Sequence, residues 1–335
     1  MEPMRIKPIS HHPLVSIIIT NYNYGQYVGK AIESALKQTY QHFEIIICDD
    51  GSTDNSLDTI RTYAERDDRI QFIAKQNGGQ ASALNAAFQH ARGEIVSFLD
   101  ADDVWFPCKL EKTVQAFRTN PQAGFVYHRL RIIYTNGRFI RDYPKIRSLI
   151  TGWLLPESIH HFCEPPAPSS AISLHRDVAL RVFPLPDSFR STADAVICLR
   201  ASTITVCYAV PEVLGTWTQH GGNLTSYGQR RTAKDIERYI SMARSVLQDK
   251  EYFVKINYPT LVIDRKRWEE QSLGLTLCTY YLYSGNHPNI DEIKKYRRGI
   301  RLLWWRLLFA LPKPFGKLIH QAWTESRLHS FFAEL

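Results

Sequence analysis

The hydrophobic and polar positions of this chain change period in a regular order. Leu14 to Thr20 (LVSIIIT) is a continuous Ile-rich run, too short for a helix, and predicts a strand buried on both faces. Tyr27 to Thr39 then places Val28, Ile32, Ala35 and Leu36 at helical spacing. Phe43 to Cys48 (FEIIIC) predicts a second buried strand. Asp54 or Asn55 is placed to cap a helix running to about Glu65. Ile70 to Ala74 predicts a third strand. Gln80 to Ala91 is Ala-rich and predicts a helix with a glycine cap at Gly93, before a fourth strand from Glu94 to Leu99.

Strands separated by helices imply right-handed βαβ units. The fold class is therefore α/β, a mainly parallel central sheet flanked by helices. Such sheets bind ligands beyond the carboxyl ends of their strands. The polar clusters fall there: Asn21-Tyr22-Asn23, Asp49-Asp50-Gly51-Ser52, Asn77-Gly78-Gly79 and the aspartates after Leu99. Further on, Pro107 suits the first position of a helix to about Thr119. Gly124 to Tyr134 and Arg138 to Tyr143, joined by Asn136-Gly137, predict a β-hairpin. Glu164 to Ser170 is Pro-rich and predicts a loop, Asp194 to Ser202 a short helix, and the pattern is helical from about Arg231.

Composition is that of an ordinary globular chain, 44% apolar and 22% charged over 335 residues. The six cysteines form no CxxC pair and predict free, mostly buried thiols in a reducing compartment. Met1 to Pro13 lacks the apolar core of a signal peptide, and no run of about 20 apolar residues predicts a membrane span. The expected location is cytoplasmic, including the inner face of the plasma membrane. No nucleic-acid-binding motif accompanies the net charge of +8, so no nucleic-acid partner is expected.

The strongest chemical signal is Ser97-Phe98-Leu99-Asp100-Ala101-Asp102-Asp103-Val104-Trp105, where an apolar run ends in three carboxylates within four positions. Carboxylates so close repel one another and call for a cation. A hard divalent ion with oxygen ligands answers that need and would neutralise charge developing on a departing phosphate. The structural alternative is a helix cap, since Asp102 or Asp103 precedes Pro107-Cys108-Lys109-Leu110. Asp49-Asp50 is open to two readings as well: a turn and cap, or a carboxylate accepting from a base N–H or ribose hydroxyl. Tyr22 offers an aromatic face for a base or for packing.

At these residues the chain resembles a known family. PLVSIIITNYNYGQYVGKAIESALKQTY, FEIIICDDGSTDNS and NGGQASALNAAFQHARGEIVSFLDADDVWFPCKLEKT, spanning Pro13 to Asn120, resemble a family 2 glycosyltransferase of the GT-A (Rossmann-like) fold. The resemblance implies an inverting transferase using a nucleotide-diphosphate sugar, with UDP the first expectation, and Mn2+ or Mg2+. By position it sets Thr20 and Tyr22 beside the nucleobase, Asp50 on the base, Asn77 on the donor side, Asp100 near the ribose and Asp102 on the metal. The implied catalytic domain is 1–230, with a nucleotide-sugar half (13–120) and an acceptor half (121–230), followed by a helical extension at 231–335.

The family's base is a carboxylate opening a later helix, and Ser191-Thr192-Ala193-Asp194-Ala195-Val196 fits it. Asp194 stands alone in an apolar stretch, where partial burial would make it a better proton acceptor. A helix cap is the alternative. Pro211 to Asn223 resembles the family segment that ends in an aromatic, Arg, any residue and His, which sets His220 near the diphosphate or the metal. Thr218 stands where the family usually has Arg, Leu84 replaces a common Arg, and Ala87 replaces a common Gly. A catalytically inert sugar-nucleotide-binding or scaffold protein on the same fold is the second reading.

The stretch from Asp291 to the end has nine Lys/Arg against four Asp/Glu. Within it, 294–319 joins Lys294, Lys295, Arg297, Arg298, Arg301 and Arg306 to Trp304, Trp305 and neighbouring leucines. That composition suits an interfacial helix on anionic lipid, or a helix packed on the domain or in a homodimer. The acceptor is expected to be a glycan or a lipid-linked sugar.

Overall fold

The computed structural model describes residues 1–158, 165, 167–220 and 233–263. The chain divides into two compact units, Met1–Leu154 with Pro165–Leu224, and Leu155–Glu164 with Thr225–Leu335.

In the first unit, β1 (Val15–Asn21), α1 (Gly25–Leu36), β2 (Phe43–Asp49), α2 (Ser56–Ala64), β3 (Ile70–Ala74), α3 (Gln80–Phe88) and β4 (Ile95–Asp100) follow the alternation read from the sequence. β1 lies between β2 and β4, and β2 pairs with β3, all parallel. Ile17, Ile19, Ile45 and Ile47 are completely buried, each contributing about 1.5–3 kcal/mol of transfer free energy.

The rest is less regular. β5 (Val104–Trp105) and α4 (Lys109–Thr119) precede the hairpin of β6 (Ala123–Tyr134) and β7 (Phe139–Tyr143). After α5 (Leu155–Ser158), which belongs to the second unit, come β8 (Ile172–His175), α6 (Arg176–Val182), α7 (Ala193–Ile204) and β9 (Val206–Gln219). The nine-stranded sheet has the order β3-β2-β1-β4-β8-β6-β9-β5, with β7 on β6. β8 runs antiparallel between β4 and β6, so a parallel half is joined to a mixed half.

Two local expectations are corrected, and the choice between Asp54 and Asn55 is decided. α3 ends at Phe88 with Gln89 as its C-cap, so Gly93 does not cap it. Gly93 is small for another reason: a Cβ there would lie 2.5 Å from the Ser16 backbone nitrogen. α4 starts at Lys109, not at Pro107. Asn55 is the N-cap of α2 but makes no side-chain cap bond. Asp54 does that work, accepting from Ser56 N at 3.0 Å and from Gly25 N of α1 at 2.9 Å.

In the second unit, α8 (Ala233–Asn257) realises the helical pattern expected from about Arg231 and carries a Glu251–Lys255 pair at 2.7 Å. Among the described residues no helix is long and apolar enough to cross a membrane. The basic, Trp-containing segment 294–319 lies outside the described residues. Among the described cysteines, Cys48, Cys198 and Cys207 are buried and all are free.

Candidate active site

The parallel strands bring their polar ends to one edge. Thr20 sits in register between Cys48 of β2 and Asp100 of β4. Next to it Asp49 is fully buried and accepts from Asn21 Nδ2 (2.7 Å), Ser52 N (2.8 Å) and Ser52 Oγ (2.7 Å). Asp50 accepts from Lys75 Nζ (2.8 Å) and Gly78 N (2.9 Å) on Oδ1, and from Gly79 N (2.6 Å) on Oδ2. A carboxylate offers about four acceptor positions, so Asp50 ties down the turn after β3 and keeps one direction for a ligand. Gly51 has φ +80°, and a Cβ there would meet Asn77 N at 2.8 Å, so the two turns touch through backbone. Asn77 accepts from the Arg190 guanidinium. The Tyr22 ring is 47% exposed beside this edge and offers its face to solvent.

The aspartate cluster after β4 is of a different kind. Asp103 N donates to the Asp100 carbonyl at 3.1 Å, folding the turn back on itself. Burial pushes the Asp100 carboxyl well above the usual range, and the charges of Asp102 and Asp194 push it further, while the Ser169 hydroxyl offsets part of this. Burial and the charges of Asp102 and Asp100 do the same to Asp103. Asp103 is not a helix cap, because Cys108 is the N-cap of α4. Its carboxylate accepts from Ser170 Oγ at 2.5 Å and Thr218 N at 2.9 Å, clamping β9 to the turn before β8.

Asp102 faces His220, whose Nε2 lies 3.0 Å from Asp102 Oδ2. The imidazole stacks on Tyr27 at 4.7 Å and meets the edge of Tyr24 at 5.4 Å. The Tyr24 phenol is pushed far above its usual range by burial first, then by Asp102, Asp100 and Asp103. Among the described residues no three His, Cys, Asp or Glu side chains form a ready metal cage. Asp102 and His220 instead pair with each other beside the buried carboxyls of Asp100 and Asp103. That donor set fits a divalent ion whose other positions are filled by phosphate oxygens and water.

Asp194 sits in the first turn of α7 but is not its cap. Thr192 holds the N-cap position in the left-handed region, φ 64°, with no side-chain cap bond. Asp194 Oδ1 accepts from Ala195 N at 2.9 Å. Burial raises the Asp194 pKa, and that backbone bond with its own N–H offsets part of the rise. Its effect on Asp100 places the two carboxylates within electrostatic reach, though they are 94 positions apart (194 − 100).

Residues 16–168 match Glycosyl transferase family 2. An uncharacterized glycosyltransferase of Nostoc sp. (strain PCC 7120) is 37% identical over 254 residues, which is 73% of this chain and 77% of that protein. This chain belongs to glycosyltransferase family 2.

The family 2 chain is also 29% identical to hyaluronan synthase of Pasteurella multocida over 299 residues, but the match spans only 26% of that protein. Among solved structures, S. aureus TarS 1-349 in complex with UDP superposes with a TM-score of 0.55 at 15% identity, covering 95% of this chain and 91% of that one. The mannosyltransferase PcManGT of Pyrobaculum calidifontis, in complex with GDP-Man and Mn2+, gives 0.54 at 17%, covering 96% and 88%. These likenesses establish the GT-A fold.

The three departures from the family pattern, Leu84, Ala87 and Thr218, all lie at buried positions of this family 2 chain. Leu84 and Ala87 are buried core residues of α3. Thr218 contributes its backbone N–H to Asp103. Tyr24 and Tyr27 escaped the sequence reading, although NYNYGQY shows both as aromatics at the start of α1. Arg190, Ser169 and Ser170 carried no signal at all, since only the fold brings them to the cleft.

Proposed function

We propose that this chain is an inverting, metal-assisted glycosyltransferase that moves a sugar from a nucleotide-diphosphate sugar, UDP first, to a hydroxyl of a glycan or lipid-linked acceptor. What supports the reading is the acidic turn Asp100–Asp103 at the carboxyl end of β4, with His220 Nε2 3.0 Å from Asp102 Oδ2 and the charge of Asp194 acting on Asp100.

Each residue has a task that its surroundings allow. Tyr22 and Thr20 border the base, and the remaining acceptor direction of Asp50 receives a base or ribose donor. Asn77 closes the same side, and Asp100 takes a ribose hydroxyl. Asp102 and His220 would hold a divalent cation, which when bound would neutralise charge on the departing diphosphate. Asp194 accepts the proton of the attacking hydroxyl; its raised pKa makes it a stronger base than an exposed aspartate. Inversion needs one displacement, so one base on the face opposite the leaving group suffices. UDP is favoured by the resemblance of the donor half and by the UDP complex of the TarS neighbour, and Mn2+ by the PcManGT complex. Attachment to anionic membrane through 294–319, a cytoplasmic location and a homodimer rest on the sequence alone.

The test is nucleoside diphosphate release from UDP- and GDP-sugars by the full chain, with and without Mn2+, beside Asp102→Ala. Release that needs Mn2+ and falls at least about a hundredfold in the variant is expected. Equal rates in the two proteins overturn the catalytic reading and leave an inert nucleotide-sugar-binding protein.

A further inference from the structure

Asp194 has an unusual support. α7 begins after a left-handed Thr192 that makes no side-chain cap bond, so the first helical N–H groups need other acceptors. Ala193 N donates to Gln80 Oε1 at 3.0 Å. Gln80 is the first residue of α3, 113 positions earlier (193 − 80). The exchange is mutual: Gln80 N donates to the Arg190 carbonyl at 3.0 Å and Ala81 N to the Phe189 carbonyl at 3.1 Å. Asn85 makes the same kind of two-way bond further along α3, to Leu185 O and from Leu185 N, both 2.8 Å. Gly79 permits the approach, since a Cβ there would lie 2.5 Å from Arg190 Cα.

The other end of the Gln80 amide points to the opposite side of the cleft. Nε2 donates to Ser169 Oγ at 3.4 Å. Ser169 is followed by Ser170, whose Oγ accepts the Asp100 N–H at 3.0 Å, and the Ser169 hydroxyl favours the charged form of the Asp100 carboxyl. One neutral amide therefore spans from the helix that carries Asp194 to the serine pair beside Asp100. It does so as a neutral group between the two carboxylates.

We propose that Gln80 is a positioning residue for transfer, its amide fixing Asp194 relative to the Asp100 edge of the donor cleft. This rests on the reading of Asp194 as base. Gln80 touches no reacting atom, so its loss displaces the base without removing a donor contact, and the effect falls on kcat and not on KM.

The experiment compares Gln80→Met, which keeps length and volume but has neither amide atom, with Gln80→Glu, which keeps an acceptor for Ala193. Two readouts are taken on the full chain: amide exchange at the start of α7, and UDP release from UDP-N-acetylglucosamine with Mn2+. Gln80→Met is expected to speed exchange at Ala193 about tenfold or more and to lower kcat about tenfold, with donor KM within about twofold of wild type. Gln80→Glu is expected to keep exchange slow and to recover part of the lost kcat. Unchanged Ala193 exchange in Gln80→Met, a kcat within about twofold of wild type, or a donor KM rising in step with the loss overturns the proposal. Asp194→Asn run in parallel separates the two claims. If it is inactive while Gln80→Met is fully active, only the role of Gln80 fails. If it is as active as wild type, the base assignment fails and the role of Gln80 falls with it.

Discussion

Two acidic turns stand at strand ends of the same sheet and are built on opposite terms. After β2, Asp49 and Asp50 are buried but well supplied with donors: six donations, from Asn21, Ser52 twice, Lys75, Gly78 and Gly79, meet their four oxygens and leave Asp50 one open acceptor direction. After β4, burial first and the charge of Asp102 next hold the carboxyls of Asp100 and Asp103 well above the usual range. The first turn uses negative charge to organise backbone. The second crowds carboxyls together, so that burial and like charge push them toward their protonated forms. A binding edge thus needs a rigid side and a side with an electrostatic demand, and identical residue types serve both according to the donors around them.

The comparison can be broken at several points. The largest effect is expected at Asp194, which belongs to the charged side. Asp194→Asn should lower kcat about a thousandfold while Mn2+–UDP affinity by calorimetry stays within about twofold. A collapse of that affinity would move Asp194 from base to donor ligand. The wild-type pH profile gives the next effect. A base must be deprotonated, and burial raises this one, so the acid limb of kcat should lie above the ordinary aspartate value of about 3.9, with the rate falling about tenfold per unit below it.

The sharpest contrast lies in stability. Asp50→Asn puts an amide NH2 where Lys75 or a glycine N–H now donates, and should destabilise the fold by about 3 kcal/mol in a denaturant titration. Asp100→Asn removes one of several mutually repelling charges. Two unit charges about 4 Å apart interact by about 4 kcal/mol at a dielectric of 20, and relief of even part of this should raise metal-free stability by roughly 1 kcal/mol. If both substitutions destabilise equally, the two turns are not different in kind.

Sequence made the rigid side legible and left half of the charged side hidden. β1, β2 and β4 are nearly continuous apolar runs that stop at polar residues, so their ends and the loops beyond them can be marked without a structure. β9 is longer than any of them and was not foreseen as a strand. Pro211 and Glu212 interrupt it where the register on β6 jumps from His128↔Val210 to Arg129↔Val213. A proline that cannot join the ladder is accommodated in a bulge, and the pattern is lost. β8 has only four residues and no period to detect. The aspartates and His220 were recognisable as residue types, but Gln80, Ser169 and Tyr24 reach the site only through contacts between distant segments.

That bulge gives β9 a further property. Beyond it, Thr218 delivers its N–H to Asp103 and, two residues later, His220 reaches Asp102. Successive residues on a strand advance about 3.4 Å and face opposite ways. β9 is thus a length gauge: a residue inserted between Val210 and Gly215 can be absorbed where the ladder on β6 is already broken, whereas one inserted between Thr216 and Gln219, where the register is regular, turns His220 to the wrong face. Changes of loop length in this chain should be tolerated up to the bulge and forbidden after it.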